Sequence, residues 1–208
     1  TDVDVEAERV IIEQVLANRP SDRIVAEEAG HLGASGADRC WFIDPLCGTL
    51  NYAAGTGPVA VNVALCDRDE LVAAAVTDPL ADVTLWTDGT AARRRSLGQD
   101  HRLVPSASSH IVDLNLDAPF PNGSWFTTAA LLADGELLAR FRPRVVSTSL
   151  ALAWVASGQR AAYVTDGHLR GSVHFTAGIA VCLAAGCVLT NLEGGPIHTG
   201  TGGLIAAA

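Results

Sequence analysis

At 208 residues the chain is long enough for one substantial hydrophobic core, or for two small lobes sharing one. With 49% hydrophobic residues, 18% charged residues and 20 glycines it reads as a compact globular protein and not a disordered one. The formal net charge of -9 argues against a nucleic-acid backbone or an anionic membrane as partner, because nothing offsets the repulsion globally.

The apolar residues Val5, Val10, Ile11, Val15 and Leu16 recur near helical spacing and predict a helix from Asp4 to Ala17. Asp4 stands where it can cap that helix. Arg23 to Ala26 reads as a short strand ending at Glu27-Glu28; neighbours on a strand face opposite ways, so only one of these carboxylates can join a given site. The Gly-, Ala- and Ser-rich segment from His31 to Ala37 reads as a mobile loop. Trp41-Phe42-Ile43 then reads as a buried strand that breaks at Asp44-Pro45 into a turn, with Gly48 ahead of Thr49 to Tyr52. An acid at a strand end, a proline that fixes a turn and a glycine that admits close backbone approach are parts of an ion or phosphate site.

Pro58 to Leu65, Leu71 to Val76 and Val83 to Trp86 read as strands of an antiparallel meander. Arg93-Arg94-Arg95, the only basic run, is either a solvated loop or a docking point for an anion. Gly98 to Pro105 reads as irregular and Asp113 to Pro121 as one more alternating strand. Trp125 to Ala133 is apolar with a helical length, Leu137 to Phe141 stays ambiguous, and Arg144-Val145-Val146 reads as a strand feeding a helix from Leu150 to Gly158. Ser147-Thr148-Ser149 at that helix start can satisfy free backbone donors, and the same geometry accepts a phosphate or hydroxylated ligand. A strand from Ala161 to Thr165, a loop from Asp166 to Val173, a helix from Phe175 to Ala185, a strand from Val188 to Asn191 and a turn from Glu193 to Pro196 complete the order. The five cysteines, Cys40, Cys47, Cys66, Cys182 and Cys187, include no Cys-x-x-Cys pair, and three lie in apolar runs; a reducing cytoplasm is the expected compartment. No apolar stretch reaches the roughly twenty residues of a membrane span, and no signal-peptide pattern opens the chain.

Two stretches carry a resemblance. Asp44 to Asn51 resembles the D-P-x-D-G-T-x-N signature of the inositol monophosphatase superfamily, the magnesium-dependent, lithium-sensitive phosphatases of inositol phosphates, fructose bisphosphate and phosphoadenosine phosphate. It matches at Asp44, Pro45, Gly48, Thr49 and Asn51 and departs at Cys47, where the family has a metal-binding Asp. The tail resembles the second signature, W-D-x-A-A-G followed by an E-A-G-G turn. Aligned through Ala177-Gly178 and Ala185-Gly186, its Trp falls on Val173 and its metal-binding Asp on His174. The resemblance spans almost the whole chain in the correct order. It implies an α/β (α+β) fold, the layered αβαβα sandwich of the inositol monophosphatase / fructose-1,6-bisphosphatase type, as a single domain over 1–208. Its N-terminal lobe would run over about 1–120 and its C-terminal lobe over about 121–208. It also implies terminal helices outside this sequence, which starts at Thr1 and contains no Met, and a homodimer.

The resemblance further implies roles. Asp4, four residues before Glu8, would bind a weak metal and orient the attacking water; Glu27, Asp44 and Leu46 would hold the first metal, with Thr49 beside the water. Gly48, Ser147, Thr148 and Ser149 would flank the substrate. The family's substrate-binding acid has Thr165 or Asp166 as its nearest candidate, in a loop about two residues longer than the family spacing. His168 and Arg170 in that loop either meet an anionic substrate or stay solvated. Two ligands of one small cation lie roughly 3 Å apart, so a retained fold brings the Cys47 sulfur and the His174 imidazole into contact. Three expectations follow. Either the protein is an enzyme acting on a small phosphorylated, sugar-like or acyl substrate, by residual Mg²⁺-dependent phosphomonoester hydrolysis or by a Cys47–His174 thiol dyad oriented by Asp44 or a loop acid. Or Cys47 and His174 with Glu27 and Asp44 form a softer site suited to Zn²⁺. Or the protein holds no cofactor and binds a ligand or a protein partner without turnover.

Overall fold

In the computed structural model, which describes residues 1–117, 121–199 and 202–208, the chain builds two β-sheets with helices between and outside them. The first sheet holds β1 (Arg23–Ala26), β2 (Gly30–Gly33), β3 (Arg39–Cys47), β4 (Ala60–Asp67), β5 (Glu70–Asp78), β6 (Val83–Thr87), β7 (Ala92–Ser96) and β8 (Gln99–Arg102), in the order β2-β1-β3-β4-β5-β6-β7-β8. From β3 to β8 it is an antiparallel meander, of which the alternating runs predict β4 to β6; of the pairs in this sheet only β1–β3 is parallel. The second sheet holds β9 (Ile111–Asn115), β10 (Arg142–Val145), β11 (Ala162–Thr165), β12 (Val188–Thr190) and β13 (Leu204–Ala207), in the order β10-β9-β11-β13-β12. The helices are α1 (Asp2–Asn18), α2 (Thr49–Ala53), α3 (Gly135–Arg140), α4 (Leu150–Ala156) and α5 (Thr176–Ala185), with a 3-10 turn over Thr128–Ala133.

Three apolar clusters fix the layers. The largest joins Ala64, Val76 and Leu85 of the first sheet, α4 and α5, and Tyr163 and Leu204 of the second, so both helices lie between the sheets. A second packs Val15 of α1, with Ile11 and Leu16, on Ile24 and Ile43 at the outer face of the first sheet. A third packs Leu131 and Phe141 on Val112, Leu114 and Val164 at the outer face of the second. The result is the five-layered α/β sandwich. Position in that stack explains composition: α5 is apolar all round because it has sheet on both sides, with Thr176 through Cys182 all buried. Gly178 of α5 packs tightly on α4, since a Cβ there would stand 2.8 Å from Cδ2 of the fully buried Leu152.

Several elements differ from their sequence patterns. The expected mobile loop after His31 starts as β2, paired antiparallel with β1 from Arg23↔Gly33 to Ala26↔Gly30. Arg93 to Arg95 lie in β7, where Arg93 and Arg95 share one face and stack over Trp86 at 5.2 and 5.5 Å. The irregular stretch after Gly98 contains β8, a fully polar edge strand joined to β7 through Leu97-Gly98, both with positive φ. Of the helix expected over Trp125 to Ala133 only the 3-10 turn forms, and the ambiguous Leu137 to Phe141 falls largely in α3, capped by the Asp134 carboxylate on the Leu137 N–H. The strand expected over Asp113 to Pro121 is β9, ending at Asn115; residues 118–120 lie outside the described residues. β13, which the pattern did not single out, sits inside the second sheet with Leu204 and Ala206 inward.

Candidate functional site

β3 carries the first signature to the boundary between the sheets. Its pairing with β4 slips between Asp44↔Asn62 and Cys47↔Ala60, so the strand continues past Pro45 through a bulge and does not end in the turn its sequence suggests. A bulge re-aims the residues beyond it. Asp44 is fully buried, and its Oδ1 accepts the Leu46 N–H at 3.1 Å. Gly48, at φ 97°, starts α2; a Cβ there would lie 2.9 Å from the Pro58 carbonyl oxygen, so both conformation and space demand glycine. The Thr49 hydroxyl donates to the Leu46 carbonyl at 3.0 Å and lies 3.2 Å from Asp4 Oδ1, which places buried Asp4 of α1 against the same loop. Glu8, one turn on, accepts the Glu28 and Ala29 N–H groups at 2.9 and 2.7 Å and so fixes the Glu27-Glu28 corner.

The second signature arrives at the start of α5. His174 precedes α5 and places Nδ1 2.8 Å from Asp44 Oδ2. The hydrogen bond to Asp44, and then that to Cys47, pushes the imidazole up to about 10, so it is an imidazolium at neutral pH. Burial pushes the Cys47 thiol up, while its sulfur accepts the Ser149 N–H at 3.2 Å from the start of α4. Cys47, Asp44 and His174 each offer one ligand atom within 4.8 Å of the others. Burial and then the nearby Asp44 charge push Glu27 up to about 7, the behaviour of two carboxylates crowded into one site. Beneath them Asn62, fully buried, donates from Nδ2 to Asp44 Oδ2 at 3.3 Å and to Ser149 Oγ at 2.7 Å, and Ser149 Oγ donates to Asn62 Oδ1 at 3.0 Å.

These groups open on a cavity of about 360 Å³, within the roughly 300–1,000 Å³ of small-molecule sites. Glu27, Leu46, Cys47, Gly48, Thr49, Ser147, Thr148, Ser149 and His174 line it; Asp44 and Asp4 stand behind them. Asp166 does not line it. That residue is fully buried and accepts the Thr128 hydroxyl at 2.7 Å, while Thr165 and Gly167 on either side face the cavity, as alternation at a strand end dictates. His168 lines the cavity, whereas Arg170 donates to the His198 carbonyl at 2.8 Å. Sequence patterning passed over Asn115, Asp117 and Ser172, which line the wall, and Asn62 below it. Asn62 did carry a signal, being the one polar residue in the run Pro58 to Leu65. The donor set suits a divalent cation: the crowded Glu27 and Asp44 carboxylates, relieved by a positive charge, beside the Leu46 carbonyl.

The family model for inositol monophosphatases matches residues 1–208. The chain is 31% identical over 214 residues to Nus factor SuhB of Escherichia coli strain K12, covering 99% of this chain and 76% of that protein. It is 30% identical over 164 residues to an inositol-1-monophosphatase of Caulobacter vibrioides, covering 76% of this chain and 63% of that one. In fold it is similar to inositol monophosphatase from Anabaena, with a TM-score of 0.82 at 24% identity, covering 98% and 80% of the two chains. It is likewise similar to the extragenic suppressor protein suhB from Bartonella henselae, with a TM-score of 0.84 at 24% identity, covering 98% and 78%. The family-model match over the whole chain and the 31% identity show that the chain belongs to the inositol monophosphatase family.

Proposed function

We propose that the protein is a divalent-cation-dependent hydrolase of a small phosphomonoester with a sugar- or polyol-like body. The observation that carries this is the convergence on one cavity of Glu27 and Leu46, with the buried Asp44 carboxylate behind them, and the Ser147-Thr148-Ser149 turn ahead of α4. Glu27, Asp44 and Leu46 would hold a hard ion such as Mg²⁺. When bound, such an ion polarises phosphoryl oxygens and makes a bound water more acidic. The chain's own groups do the rest. The Thr49 hydroxyl, shared between Asp4 and the Leu46 carbonyl, orients a water, and Asp4 is placed to accept its proton. Asn51, Asn115, Asp117 and Ser147 give the rim the amide, carboxylate and hydroxyl partners that a hydroxyl-rich body needs.

One observation favours a second reading. Asp44, His174 and Cys47 stand in the order of an orienting acid, an imidazole and a thiol, with the Ser149 N–H on the sulfur. Cys47 would then attack an electrophilic carbon; the upward push that burial gives its thiol works against this.

Phosphate release from a panel of inositol, sugar and nucleotide monophosphates, with and without Mg²⁺, tests the proposal. Release that requires the cation and is lost in Glu27→Gln supports it. Loss of activity on alkylation, abolished by Cys47→Ser, would favour the thiol instead. Ligand-induced rise in melting temperature with no release anywhere on the panel would identify a binding protein without turnover and overturn both.

A further inference from the structure

Beside the Glu27–Asp44 corner lies a second group of potential ligands, Asp44, Cys47 and His174, whose ligand atoms fall within 4.8 Å of one another. We propose that this corner is a zinc site and not a second magnesium site, built from an Asp44 carboxylate oxygen, the Cys47 thiolate and a His174 ring nitrogen, with the cavity supplying the fourth position. The location rests on the hydrolase reading above; the metal does not.

The chemistry of the donors decides the ion. Mg²⁺ demands about six oxygen ligands near 2.1 Å, and a sulfur is a poor member of that set. Zn²⁺ takes thiolate at about 2.3 Å, imidazole at about 2.0–2.1 Å and carboxylate at about 2.0–2.2 Å, in a tetrahedron that keeps one position open in catalytic sites. Those bond lengths put ligand atoms roughly 3.3–3.8 Å apart. The 2.8 Å contact between His174 and Asp44 has to open by about half an ångström, and Cys47 already stands within reach. The His174 side chain, 43% exposed, is free to make that adjustment, whereas Asp44 is fully buried and held.

The surroundings are those of a supported metal centre. The Cys47 sulfur accepts the Ser149 N–H at 3.2 Å, a partner that stabilises negative charge on sulfur. Asp44 is oriented by the Leu46 N–H on Oδ1 and by Asn62 on Oδ2, and Asn62 is itself anchored by Ser149 Oγ. Ser149 therefore supports both ligands, one through its backbone and one through Asn62. Loading forms one Zn–S, one Zn–N and one Zn–O bond. It releases the thiol proton of Cys47 and the proton of the His174 imidazolium to solvent, with no change of oxidation state. Asp44 then lies between the two corners, with Glu27 and Leu46 on one side and Cys47 and His174 on the other.

The test uses the whole chain purified without chelator and reads metal, not turnover. About one zinc per chain is expected to survive gel filtration in millimolar Mg²⁺. Replacement by Co²⁺ is expected to give the near-ultraviolet thiolate-to-cobalt band and the visible bands of a four-coordinate ion. Cys47→Ser, with its fold checked by circular dichroism, is expected to lose the near-ultraviolet band and to bind zinc at least tenfold more weakly. The double variant Cys47→Asp, His174→Asp is expected to lose its preference for zinc over magnesium. No retained zinc, or a cobalt band unchanged in Cys47→Ser, overturns the proposal and leaves the His174 imidazolium as the positive charge of this corner. Zinc retained without phosphate release from any substrate overturns the hydrolase reading and leaves the zinc site standing; release without zinc does the reverse.

Discussion

Replacing Asn62 by Ala removes a side chain that ties Asp44 of the first sheet to the start of α4. Asn62 is fully buried and bonds Asp44 Oδ2 at 3.3 Å and Ser149 Oγ at 2.7 and 3.0 Å. A hydrogen bond to a charged group contributes about 1.5–3 kcal/mol and a neutral one about 0.5–1.5 kcal/mol, and the two Ser149 contacts share one hydroxyl, so they count once. Water entering from the adjacent cavity recovers part of that, which leaves a net loss of about 2–3 kcal/mol. For a chain of this size each kcal/mol shifts the melting temperature by roughly 2–4 °C, so Asn62→Ala is expected to melt about 4–12 °C lower in metal-free buffer. Ser149→Ala lowers it less, and the double variant falls short of the sum by about 1 kcal/mol or more, because both substitutions break the same contact. A shift below about 2 °C for Asn62→Ala, or strict additivity of the pair, would refute the reasoning.

Two further outcomes follow from the packing and the charges. Gly178→Ala places a methyl 2.8 Å from Leu152 Cδ2 in a full interior; overpacking of about 1–3 kcal/mol exceeds the gain of up to about 1 kcal/mol in helix propensity, so the variant melts lower and Leu152→Val restores part of the loss. A higher melting temperature would place α5 farther from α4 than described. The raised pKa of His174 makes a contribution that is fully present below the unfolded value of about 6.5 and is lost as pH climbs towards about 10. Without metal, the stability difference between the parent and His174→Gln is therefore expected to shrink between pH 7 and pH 10 in denaturant titrations. A difference independent of pH would mean that Asp44 does not hold the imidazolium.

Legibility in the sequence followed locality. The meander of β4 to β6 is readable because hairpin strands alternate and pair with their neighbours, and α1 because its apolar stripe faces a sheet. β7 and β8 are hidden by composition: a strand carrying Arg93, Arg94 and Arg95 beside a fully polar edge strand looks like a solvated loop, and only the partner Trp86 shows why Arg93 and Arg95 lie on one face of a sheet. Asp44, Gly48, Thr49 and Cys47 stand out only through the resemblance to the family's first signature, and His174 only through the gap-free alignment to its second. Asp166 was not placeable that way, because whether it or Thr165 meets the cavity depends on strand phase, and β11 ends with Thr165 turned in. Asn62 is 18 residues from Asp44 and 87 from Ser149, so its role exists only once the start of α4 meets the first sheet.

The most direct measurement of the central claim is cation-dependent phosphate release by the unmodified chain, set against Glu27→Gln under the same conditions. Removing a carboxylate proposed to hold the cation is expected to cost at least the roughly 10–100-fold that loss of a mere supporting partner costs, with the fold intact by circular dichroism. Release from at least one polyol or sugar monophosphate that needs Mg²⁺ and collapses in Glu27→Gln is the predicted result. Release that is indifferent to Mg²⁺ and to Glu27, or absent from the whole panel, would contradict it.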